Sequence, residues 1–140
     1  MRPRRFRWRE CAILLTSPVV DATPLKRLCG VAAGDPAFVC AVDHPDPVAA
    51  LATEAHRRSL IIDVVIDVDV GLARTGVAGP DEARRLADHI ARYPALALTG
   101  VQGYGGHWQH IEGFDERREA VSAGMKRLNR GPVRLTLPTP

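Results

Sequence analysis

One run of ten residues constrains this chain more than any other feature. Ile61 to Val70 reads I-I-D-V-V-I-D-V-D-V and is closed by Gly71. Its β-branched residues are stiff at χ1 and fit a pleated strand far better than a helix. So apolar a strand is predicted to lie inside a parallel sheet, buried on both faces. The aspartates within it then call for a physical reason, because an ionised carboxylate buried without a partner costs several kcal/mol.

The rest of the chain repeats a strand-then-helix rhythm around this run. Ile13 to Ser17 is a short apolar stretch. Asp21 and Thr23 then offer N-cap oxygens, and Pro24 suits a first helical turn. Leu25, Leu28, Val31 and Ala32 recur at helical spacing, with Gly34 as the stop. Phe38 to Val42 reads as the second strand, and Asp46-Pro47 as the cap and start of a helix carrying Val48, Leu51, Ala52 and Ala55. After the central strand, Gly79-Pro80-Asp81-Glu82 opens a helix with Ala83, Leu86, Ala87 and Ile90 on one face. The fourth strand spans Leu96 to Tyr104, followed by a glycine-rich loop and a helix from Asp115 to Leu128.

Alternating strands and helices imply a parallel sheet with right-handed crossovers. The strand starts recur roughly every 23 to 35 residues, near the ~30 per unit of a (β/α)8 barrel. The expected fold is α/β, with four consecutive βα units making about half of such a barrel; a small doubly wound sheet is the competing architecture. The expected organisation is a basic head over 1–10, the barrel segment over 11–129 and a proline-rich tail over 130–140.

Charge narrows the function classes. The net charge is +3, yet five arginines fall within the first nine residues, so the body is close to neutral. A nucleic-acid binder needs a basic face across the fold, so no nucleic-acid partner is expected. No apolar run approaches the ~20 residues of a membrane helix, and no membrane partner is expected either. Cys11, Cys29 and Cys40 are odd in number and lack C-x-x-C spacing. They read as reduced thiols and predict a cytoplasmic protein. Cys40, flanked by apolar residues, reads as an inert buried thiol.

Polar residues at strand ends are where chemistry gathers in either architecture. Asp67 and Asp69, at i and i+2, share a strand face, and Asp63 has the same parity. They read either as Mg²⁺ ligands or a general base, or as satisfied partners of an arginine such as Arg74. Arg74, between Gly71 and Gly76, has the planar fork that holds a phenolate, carboxylate or phosphate. Gly103 to His110 places Tyr104, His107, Trp108 and His110 on a loop whose glycines permit close approach to a ligand. His107 and His110, three apart, are a candidate metal pair, although no third ligand stands at an obvious spacing. His44, His56 and His89 read as surface residues of helices and loops. The glycines do not spell a dinucleotide fingerprint.

Two of these segments resemble one family. Val65 to Val77 is similar to the I-D-x-G-x-x-R-x-G-V strand and loop of the D-threonine aldolase and D-serine dehydratase family. Leu98 to His110 resembles its G-x-Q-x-Y-x-G-x-x-Q-H segment, and Ile13 to Val20 looks like its third barrel strand. The resemblance covers about 11–128 and implies strands three to six of a fold-type III, alanine-racemase-like barrel that uses pyridoxal phosphate. It places Arg74 near the cofactor's phenolic oxygen, Tyr104 by the pyridine ring and Gln102 in the same pocket. The implied parent is a lyase acting on D-3-hydroxy amino acids, often with a divalent metal.

The family's Schiff-base lysine lies on its first strand, its phosphate loops on its last strands and its metal ligands in a C-terminal β domain. None of these is matched here, and Lys26 and Lys126 are both expected inside helices. The chain therefore reads as an interior fragment, inactive alone, with ends of the kind a truncated or frameshifted gene would give. Its two open sheet edges predict a homo-oligomer. The alternatives are a racemase-like or non-catalytic pyridoxal-phosphate binder, a metal-dependent phosphate enzyme using Asp67 and Asp69, and a structural or interaction protein.

Overall fold

The structure, a computed structural model, describes residues 13–129. The expected head, and the tail from 130 onward, lie outside the described residues. Four strands, β1 (Leu14–Leu15), β2 (Val39–Val42), β3 (Ile62–Asp67) and β4 (Leu96–Gln102), alternate with helices α1 (Ala22–Gly34), α2 (Pro45–Arg57) and α3 (Pro80–Ile90). A short 3₁₀ helix, Gly106–His110, and α4 (Phe114–Asn129) follow β4. The strands are all parallel, in the order β1-β2-β3-β4. That unreversed order decides between the two architectures. A doubly wound sheet reverses direction at a switch point, whereas a barrel adds each strand beside the last.

Helices cover one face of this sheet. Ile62, Val64 and Ile66 are fully buried there, against a core that includes Val48, Leu51, Leu86 and Ile90. The opposite parity of β3, Asp63 and Val65, is only half-buried, and Ile61 and Leu14 are exposed. The expectation of a strand buried on both faces is corrected accordingly: among the described residues, the second face is half open along Asp63 and Val65 and closed at Asp67. Asp63 tolerates its place in an apolar strand because it points to this open side.

The central strand is also shorter than the β-branched run suggests. Pairing with β4 ends at Asp67, opposite Gln102. Val68 then forms an isolated bridge to Val77, the first sign that the chain is turning back on itself. In α2 the expected Asp46 cap is replaced. The helix opens at Pro45, and His44 Nδ1 accepts the Asp46 N–H at 3.3 Å. Proline at the first helical position has no N–H to satisfy, so the cap moves to the residue before it.

One irregularity in β4 shapes the functional end. Leu98 pairs with Val64 but Gly100 pairs with Val65, so Thr99 is an extra residue. Its hydroxyl donates to the Val64 carbonyl at 3.2 Å. A one-residue slip reverses which face each later side chain occupies. Without it Gln102 would point toward the helices; with it Gln102 stands beside Asp67 on the open face.

The helix layer carries its own electrostatic link. Glu54, almost wholly buried, accepts from Arg57 Nη2 at 2.7 Å and Arg58 Nε at 2.6 Å, and Arg58 also donates to the Lys26 carbonyl of α1. Hydrogen bonds from Arg57, then from Arg58, pull the Glu54 carboxyl down from 4.5 to about 2. A carboxyl whose folded value is depressed stabilises the fold above its unfolded value and loses that contribution as pH falls toward the folded one. Urea midpoints are therefore expected to drop more steeply between pH 4.5 and 2 for the native chain than for Glu54→Gln. Parallel slopes for the two would show that the link contributes nothing.

Candidate functional site

The carboxyl end of the sheet is drawn together by hydrogen bonds. Asp67, the last residue of β3, is buried, with its carboxylate accepting from Thr75 Oγ1 at 2.9 Å and Gln102 Nε2 at 3.2 Å. The same Gln102 nitrogen donates to the Thr16 carbonyl, just past β1, at 2.6 Å. In a flat sheet the first and fourth strands would stand about 14 Å apart. One glutamine side chain reaches from β4 to the end of β1 only because the sheet curls, as a barrel wall does.

One of the readings of Asp67 gave it an arginine partner. The structure instead gives it a hydroxyl and an amide. Burial pushes its carboxyl above the usual aspartate value and nearby Asp43 adds to this, while the bonds from Thr75 and Gln102, and the charge of Arg74, oppose it. Asp69 behaves differently. Its carboxylate accepts the N–H groups of Gly71 at 2.8 Å and Ala73 at 3.0 Å. Burial alone would raise its carboxyl, but the N–H groups of Ala73, Gly71 and Leu72 together hold it below the ordinary value. Both aspartates are thus engaged by the loop that follows them.

Arg74 lies on that loop, exposed, with its guanidinium 5.1 Å from the centre of the Tyr104 ring. This is cation–π geometry. Tyr104 is itself 54% exposed, so the stacked pair presents a charged and aromatic surface at the mouth. The crevice enclosed among Asp67, Asp69, Thr75, Arg74 and Tyr104 is about 10 Å³, too small for an aromatic ring.

His107 and His110 fall on the 3₁₀ helix. His107 Nδ1 is buried without a hydrogen-bond partner, and its Nε2 lies beside Gly71, while His110 is exposed. Among the described residues, no three His, Cys, Asp or Glu side chains gather as a metal site. Cys40 is buried, and burial pushes its thiol up to about 12, as an inert thiol requires. Lys26 lies in α1 and Lys126 in α4. Among the described residues no helix is long and apolar enough to cross a membrane.

Sequence reasoning passed over Asp43. It follows β2 as Asp67 ends β3, and its Oδ2 accepts the Gly76 N–H at 3.0 Å. A carboxylate repeated at equivalent strand exits was the signal that could have found it. Asp43 also borders a groove of about 580 Å³ between α2 and α3.

Comparison with known proteins agrees with this geometry. The family described as "Alanine racemase, N-terminal domain" matches residues 9–137. The chain is 24% identical over 116 residues to 3-hydroxy-D-aspartate aldolase of Paracoccus denitrificans (strain Pd 1222), covering 83% of this chain and 30% of that protein. It is 30% identical over 107 residues to D-threonine aldolase of an Arthrobacter species, covering 76% of this chain and 28% of that one. The crystal structure of D-threonine aldolase from Filomicrobium marinum superposes with a TM-score of 0.78 at 27% identity, covering 84% of this chain and 32% of that one. The chain thus spans about a third of the length of these relatives.

Proposed function

The chain belongs to the alanine racemase N-terminal domain family, and we propose that it supplies the segment from strand three to strand six of a pyridoxal-phosphate-dependent lyase barrel. In this reading the whole enzyme cleaves D-3-hydroxy amino acids, the class to which the substrates named for its aldolase relatives belong. The observation that carries the reading is the Arg74 guanidinium over the Tyr104 ring at the barrel mouth.

The residues present suit one side of the cofactor. Arg74 would hold the phenolic oxygen, and the Tyr104 ring would meet the pyridine ring. Gln102, already tied to Asp67 and Thr16, would fix the floor between them. When bound, pyridoxal phosphate supplies the electron sink for bond cleavage. The amine that anchors it, the phosphate-binding loops and a divalent metal site belong, in this reading, to parts of the relatives that the chain does not span. The outer edges of β1 and β4, unpaired among the described residues, would then join the rest of the wall or a second copy.

Titration of the chain with pyridoxal phosphate, followed by the cofactor's absorbance and by tyrosine fluorescence, tests the reading. Saturable binding is expected. Arg74→Ala is expected to weaken it about tenfold, the worth of one hydrogen bond to a charged group. No saturable binding, or equal affinity in Arg74→Ala and Tyr104→Leu, would set the reading aside.

A further inference from the structure

The loop that carries Arg74 is held by carboxylates on both sides of it. Upstream, Asp69 accepts the N–H groups of Gly71 and Ala73. Downstream, Asp67 accepts the Thr75 hydroxyl and Asp43 accepts the Gly76 N–H. Arg74 is the residue between these anchors. Its guanidinium forms no ion pair with a carboxylate among the described residues, so the backbone, rather than a side-chain partner, aims it at Tyr104.

Two of the three carboxylates come from the same strand exit as the loop. Asp43 comes from the end of β2, and its bond to Gly76 spans 33 residues of sequence. Among the described residues this is the one side-chain hydrogen bond from a neighbouring strand to the loop. Gly76 donates this bond from φ +97°, where an added Cβ would run into the backbone of Val68 and Asp69. An ionised carboxylate suits the task, because it only accepts and its bond to a backbone N–H is short and strong.

We propose that Asp43, Asp67 and Asp69 form a three-carboxylate clamp that positions Arg74, and that Asp43 is its cross-strand arm. Asp43 is a positioning residue: it acts on the mouth through Gly76 and does not touch a ligand there. That the positioned arginine serves pyridoxal phosphate rests on the proposed function; that Asp43 positions it does not.

The experiment reads the arginine directly. In ¹H–¹⁵N spectra of the chain, the Arg74 Nε–H resonance is expected to be displaced by the Tyr104 ring current, and Tyr104→Leu identifies it. Asp43→Ala is expected to return that resonance toward the position of a free arginine and to speed Gly76 amide exchange about tenfold. Asp43→Asn keeps an acceptor oxygen for Gly76 and is expected to retain the displaced resonance. If Asp43→Ala does not fold, Asp43→Ser, whose shorter side chain falls short of Gly76, takes its place. A folded Asp43→Ala or Asp43→Ser with Arg74 undisturbed would overturn the clamp, as would loss of the signal in folded Asp43→Asn. Pyridoxal phosphate added to the same samples separates the two claims. If the native chain does not bind it, the cofactor reading fails while the arginine resonance still decides the clamp.

Discussion

Gly76→Ala is expected to destabilise the fold by about 3 kcal/mol or more, the sum of a left-handed backbone penalty and overpacking. Gly76 sits at φ +97°, where an L side chain is strained. A Cβ there would lie 2.6 Å from the Asp69 nitrogen and 2.8 Å from the Val68 carbonyl carbon. Both are backbone atoms in the ladder that closes the loop, where Asp69 N–H donates to the Val77 carbonyl and Val77 N–H to the Asp67 carbonyl. Neither can step aside without opening that ladder. The Asp43 bond would be lost with it, so Arg74 would be freed as well as the fold weakened. Urea unfolding of Gly76→Ala against Gly79→Ala checks this. Gly79 is extended, and a Cβ there meets nothing within 4 Å. That variant is expected to change stability by no more than about 1 kcal/mol, the scale of an altered helix cap. Comparable losses at the two glycines would show that the close approach at Gly76 is not what matters.

The same loop shows what was legible beforehand. Local chemistry read well. The β-branched run gave β3, the helical spacings gave α1 to α3, and the spacing of Gly71, Arg74 and Gly76 marked the loop. What escaped was anything set by a partner distant in sequence. One reading of Asp67 made it the partner of an arginine such as Arg74, but folding brought Thr75 and Gln102 to it instead. Gln102 reaches Asp67 only through the bulge at Thr99, and a one-residue register shift is nearly silent in a pattern of small and apolar residues. Gly100 inside an apolar strand was its one trace. Asp43 was unremarkable until Gly76, 33 residues on, was seen against it. The strand thought to be buried on both faces proved half open, because apolarity reports burial but not what provides it.

The final helix is seated at one small residue, and Gly124→Val is expected to loosen it. Gly124 is the buried residue of α4, whereas Phe114 and Met125 stay exposed. Near its end the helix packs Leu128 against the core. It also rests on Trp108 of the 3₁₀ helix, whose indole lies between Gly105 and Gly124. A Cβ at Gly124 would run into Cζ2 of that indole and come within 3.2 Å of the Val70 carbonyl. An indole is rigid and does not yield as a flexible side-chain tip would. Overpacking of this kind costs about 1–3 kcal/mol. Amide exchange in α4 should therefore speed by about ten- to a hundredfold in Gly124→Val, while β2 and β3 keep native protection. The cause can be isolated by a double-mutant cycle. In a Trp108→Ala background the valine has room, so its penalty should shrink; an undiminished penalty would assign the effect to something other than the indole. Release of α4 would also withdraw Leu128 from Gly103 and Arg127 from the neighbourhood of Gly71 and His107. Those contacts buttress both loops, the one carrying Arg74 and the one opened by Gly103 and Tyr104. Loosening α4 should therefore lower the ring-current shift on Arg74 from the opposite side to Asp43, with the carboxylate clamp intact.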